Sequence, residues 1–137
     1  MPSAVKYNCD WYDDGKTILV IRALTQWDWK DIDSALTEQM NCVRSVKHSV
    51  YTIYDLSATP VIPKGLALPN LKRVTSERQP NQRLTIYVGM GFLQERLMEM
   101  TNTAFNLQEL FKNFHFARTM DEALAIIEAD KRRFQNV

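Results

Sequence analysis

The stretch Val50–Gly65, VYTIYDLSATPVIPKG, sets groups able to do chemistry directly behind a buried-looking apolar run. Asp55 supplies a carboxylate, Ser57 and Thr59 supply hydroxyls, and the ammonium of Lys64 precedes Gly65 and Leu66. A carboxylate at the carboxyl end of a strand is where open α/β sheets place ligand-contacting groups. The same carboxylate can instead accept backbone N–H bonds and cap the turn. No His, Cys or second carboxylate stands close by in sequence to complete an acid/base pair, so capping is the favoured role for Asp55. The hydroxyls of Ser57 and Thr59 are of the kind a kinase modifies.

Other candidates have weaker patterns. His48 falls in a polar loop and His115 alternates with Phe114 and Phe116, which suits surface or half-buried histidines better than catalytic ones. "GMG" at Gly89–Gly91 lies between a strand and a helical stretch, as phosphate-binding loops do. It lacks the third glycine of the dinucleotide fingerprint and any Gly-Lys-Ser/Thr, so it reads as a tight turn. Two basic clusters, Lys72, Arg73 and Arg78, and Lys131, Arg132 and Arg133, fit solvated faces or helix C-termini. Trp11, Trp27 and Trp29 gather aromatic surface near the first hairpin and helix, where an interface and core packing weigh evenly for Trp29; Met90, Phe92, Met98 and Met100 are adaptable apolar residues for which core packing is favoured over a binding surface.

The elements that must position these groups follow from periodicity. Apolar and polar residues alternate over Tyr7–Tyr12 and Thr17–Leu24, and "DDG" at Asp13–Gly15 between them is a hairpin signal. Trp29, Ile32, Leu36, Met40 and Val43 recur at spacings of three and four, which predicts a helix ending before Val50. Val50–Tyr54 is short, β-branched and aromatic, as a central strand is. Leu66–Glu77 can form a helix whose regular part starts near Leu68, because Pro69 is tolerated only in a first turn. "RQPNQ" breaks it, Leu84–Val88 is the next strand, and a helical stretch runs through Met100 toward Leu110. Phe114–Ala117 is the last strand. Thr119 with Glu122 forms a capping box for a final helix carrying Ala123, Ile126, Ile127 and Phe134. The order ββαβαβαβα predicts an α/β fold: a mostly parallel sheet with one antiparallel edge strand and helices packed against it.

With 137 residues the chain fits one domain, 1–137. A hydrophobic share of 45%, a charged share of 24% and a net charge of +1 disfavour nucleic acid and acidic substrates as partners. Cys9 and Cys42 lack zinc-site spacing and no signal pattern opens the chain, which suggests a cytoplasmic protein with reduced thiols. No apolar run approaches the roughly 18 residues of a spanning helix.

The element order, with "YDLSATPVIPKG" after the first buried parallel strand and a closing "FHFARTMDEALAIIEA", resembles the STAS-like fold of bacterial anti-sigma factor antagonists over nearly the whole chain. It is closer to degenerate STAS/SEC14-like relatives than to the sporulation regulators. Members of that family carry an Asp-Ser-Ser-Gly-like stretch at the start of the helix after this strand. Here the corresponding stretch is Pro63-Lys64-Gly65, which keeps the glycine but lacks the phosphoacceptor serine. The resemblance implies a non-enzymatic regulatory module meeting a protein partner, or a second copy, through Asp55, Ser57, Thr59, Lys64, Gly65 and Leu66. Its SEC14-like side implies instead a carrier or sensor of a small apolar, lipid-like ligand. Neither implies a cofactor or a metal.

Overall fold

A computed structural model describes residues 6–25, 28–58, 79–89 and 114–135. Within them β1 (Tyr7–Trp11) and β2 (Ile18–Ala23) form the expected hairpin, followed by helix α1 (Trp29–Arg44), β3 (Val50–Asp55), β4 (Gln82–Val88), β5 (Phe114–Ala117) and helix α2 (Met120–Gln135). The five strands make one sheet in the order β1-β2-β3-β4-β5. β1 is antiparallel to β2, and β2 through β5 are mutually parallel. The fold is therefore α/β, with an antiparallel edge pair on a parallel sheet. The helices expected over 66–77 and 91–110 fall outside the described residues. Among those described, no helix is long and apolar enough to cross a membrane.

The hairpin turn falls at "DDG" and the residue after it. Lys16, not Gly15, takes the positive φ of 56°. Asp13 makes that possible: its carboxylate accepts from the Thr17 and Ile18 amides, both at 2.9 Å, and from the Thr17 hydroxyl at 2.5 Å. Local side-chain acceptors of this kind offset the strain of a left-handed residue. Helix α1 starts at Asp28, which accepts from the Asp31 amide while the Asp31 carboxylate accepts from the Asp28 amide, a reciprocal cap. At α2, Thr119 accepts from the Glu122 amide as its spacing predicts, but Glu122 reaches back to the Arg118 amide, one residue further than a strict capping box.

Because side chains alternate across a strand, β2 serves two cores. Leu19, Ile21 and Ala23 pack with Ile32, Ala35, Leu36 and Val43 of α1, whereas Ile18 and Val20 pack with Ile53, Ile86 and the α2 residues Ala123 and Ile127. The two helices thus cover opposite faces. Met40, predicted on the apolar stripe of α1, is half-buried; Gln39 takes the buried position beside it and accepts the Tyr54 hydroxyl. Every residue of β3 is buried, as a central strand demands. Asn81 ties the neighbouring loop down, its amide donating to the carbonyls of Val43, Val46 and His48.

Candidate functional site

The carboxyl ends of the parallel strands come together around Asp55. Register places Arg22 of β2, Asp55 of β3 and Val88 of β4 in one row, and Ala117 of β5 extends it. The odd residues Tyr51 and Ile53 belong to the α2 face, so Asp55 shares that face. Arg22 lies half exposed, and its Nε donates to Asp55 Oδ2 at 3.1 Å; the Asp55 side chain is only 9% exposed. The other carboxylate oxygen, Oδ1, accepts both the Ser57 amide at 3.1 Å and the Ser57 hydroxyl at 2.5 Å. Burial opposes ionisation here, but the two Ser57 bonds and the Arg22 guanidinium outweigh it and hold the carboxyl below its ordinary range. Asp55 is a brace.

Ser57 is exposed on a turn gripped from two sides. Asp55 holds its amide and hydroxyl, and the Leu56 amide donates to the Val88 carbonyl at 2.9 Å. From the next strand Gly89, with φ of +82°, comes so close that a Cβ there would lie 2.7 Å from Ser57 Cα and 2.8 Å from Ser57 N. Only glycine allows both that backbone conformation and that approach. Its own amide donates to the Ala117 carbonyl at 3.1 Å, which binds the turn to β5 as well. The first glycine of "GMG" therefore works as a tight turn that seats Ser57. Met90 and Gly91 lie outside the described residues.

Of the six residues singled out by sequence, Asp55 and Ser57 stand together in direct contact. Thr59, Lys64, Gly65 and Leu66 lie outside the described residues, as do Lys72, Arg73, Arg78 and the methionine-rich stretch. Arg22 and Gly89 complete the site. Arg22 carried no local signal, because only the β2–β3 register brings it to Asp55. Lys131, read as part of a solvated basic face, is half-buried, with its ammonium 5.9 Å from the Tyr51 ring centroid and 3.3 Å from Thr17 Oγ1.

A second polar cluster sits at the opposite end of the sheet. Asp130 of α2 accepts from the Tyr51 hydroxyl at 2.6 Å and from Arg83 Nη2 at 3.1 Å, joining helix, β3 and β4. Burial first, and then the hydrogen bond to Asp130, push the Tyr51 hydroxyl up to about 12. Burial opposes ionisation of Asp130, but Tyr51 and Arg83 hold its carboxyl below the ordinary value. These bonds fasten α2 to the sheet. Among the described residues no group of three His, Cys, Asp or Glu side chains could hold a metal ion.

The strand succession runs in one direction from β1 to β5. Open α/β sheets bind ligands in the crevice formed where that succession reverses, and the described strands have no such point. What their carboxyl edge offers is a rigid, solvent-facing turn. Comparison with protein-family models, with curated proteins and with solved structures finds no match to this chain.

Proposed function

We propose that the chain is a non-enzymatic regulatory or protein-interaction module of STAS-like type, which meets a protein partner through the Ser57 turn. The supporting observation is the bracing of an exposed serine by Asp55 and Gly89. A turn already held in one conformation loses little freedom when a partner settles on it, so more of its contact energy becomes affinity. Arg22 adds a half-exposed guanidinium beside the turn, a group enriched at interface cores. Asp55 stabilises this surface while staying beneath it.

Native mass spectrometry of the protein as purified tests the reading. A mass equal to the bare chain, or to a multiple of it or a stoichiometric complex with another protein, is the expected result. Retention of an apolar, lipid-sized mass would overturn it in favour of a carrier.

A further inference from the structure

The two cysteines, far apart in sequence, both pack against the core cluster beneath α1, Cys9 from β1 and Cys42 from the helix. Helix α1 connects β2 to the parallel strand β3 and so runs back alongside the sheet in the direction of β1, which is antiparallel to β2. Two contacts between the elements follow one another along that shared direction. Lys6 Nζ donates to Asp31 Oδ2 at 3.2 Å, and the Tyr7 hydroxyl donates to Glu38 Oε1 at 3.0 Å. Cys9 follows Tyr7 by two residues on the same face of the strand, a rise of about 6.6 Å, and Cys42 follows Glu38 by four on the same face of the helix, a rise of about 6 Å. The next rung after Tyr7–Glu38 is therefore Cys9–Cys42. Both side chains are half-buried against the same core cluster. Their backbones are fixed. Cys9 pairs with Ile21 in the hairpin, and the Cys42 carbonyl accepts from the Ser45 amide at 3.1 Å and its hydroxyl at 2.5 Å.

We propose that Cys9 and Cys42 are a modification site, forming a reversible intramolecular disulfide that fastens the edge strand β1 to α1. The oxidant is a small-molecule disulfide of the glutathione type. One protein thiolate attacks it, releasing one small thiol and leaving a mixed disulfide; the second protein sulfur then displaces the other small thiol. Two protein thiols are oxidised and one small disulfide is reduced to two thiols, which take up the two protons that the protein thiols give up. Burial first, then Cys42 and the nearby carboxylates of Glu38 and Asp10, push the Cys9 thiol up to about 12, so its thiolate is scarce at neutral pH and closure is slow. The inference stands independently of the proposed function.

The test incubates the native protein with excess oxidised glutathione and follows it by intact mass and thermal melting. The expected product is a monomer lighter by two hydrogens, without retained glutathione, melting on the order of 10 °C higher because the closed loop restricts the unfolded chain. Dithiothreitol reverses both changes, and Cys42→Ser shows neither. Peptide mapping of the oxidised parent, which needs no variant to fold, should show Cys9 and Cys42 in one cross-linked species. A product that stops at glutathione adducts, links two chains, or remains unmodified overturns the proposal.

Discussion

Replacing Gly89 by alanine probes the seat of the Ser57 turn. Gly89 has φ of +82°, and forcing an alanine into the left-handed region costs about 1–2 kcal/mol. The added Cβ also meets main chain, 2.7 Å from Ser57 Cα and 2.8 Å from Ser57 N. Main-chain atoms cannot rotate aside, so the Leu56–Ser57 segment must shift and weaken the Leu56 amide bond to the Val88 carbonyl, a further loss of about 1 kcal/mol. The sum is about 2–3 kcal/mol, or a melting temperature lower by roughly 10 °C for a chain of this size. Gly15→Ala is the internal control, since its added Cβ would find its nearest atoms at 3.5 and 3.7 Å and Gly15 has no positive φ. That variant should stay within about 0.5 kcal/mol of the parent. Urea titrations of the three proteins, compared at equal slope, read the difference. If Gly89→Ala and Gly15→Ala share one midpoint, the close approach of β4 to the turn is wrong.

Asp55→Asn should keep acceptors for Ser57 and shift stability by about 1 kcal/mol or less, whereas Asp55→Ala, which leaves the Ser57 amide without its partner, should cost roughly 0.5–2 kcal/mol; thermal melts of the pair decide. Ile53 is fully buried in the central strand, so Ile53→Asp should abolish folding at a cost of several kcal/mol, and a soluble, cooperatively melting variant would refute the strand assignment. Tyr51→Phe removes one bond to Asp130 but leaves Arg83, so chemical denaturation should show a loss of about 1–2 kcal/mol. Asp13, Asp55 and Asp130 all have carboxyls held below the ordinary value of 3.8 in the fold. A depressed folded-state value stabilises above the unfolded one and is lost as protons bind, so the urea midpoint should hold from neutral pH to about 5 and fall below about 4. A midpoint that rises on acidification through that window would contradict these three assignments.

The five strands and the first and last helices were legible because alternation and three-to-four spacing are local properties of the chain, and Val50–Asp55 carries its burial in its own β-branched and aromatic residues. Asp55 and Ser57 were legible for the same reason: two residues apart, they make their own contact. What completes the site is not local. Arg22 reaches Asp55 only through parallel register, and Gly89 reaches Ser57 only because β4 lies beside β3. The Tyr51–Asp130 bond spans 79 positions, and no window of sequence pairs them. "DDG" marked the hairpin correctly, and the Asp13 bonds hold its turn and let Lys16 take the left-handed conformation. The cysteines, separated too widely for a metal motif, come onto one core cluster only when α1 lies back along β1.

Matched capture with the parent protein and Ser57→Arg tests the central claim that the braced serine turn is a partner-binding surface. Ser57 is exposed, so the longer side chain has room in solvent, but its hydroxyl bond to Asp55 is lost, and Ser57→Arg should melt cooperatively at a cost of about 0.5–1.5 kcal/mol. A protein bound stoichiometrically by the parent should then be recovered at least about tenfold less well by Ser57→Arg, as expected when a central interface position is blocked. Equal recovery of that protein by both, with Ser57→Arg still melting cooperatively, would show that the partner binds elsewhere.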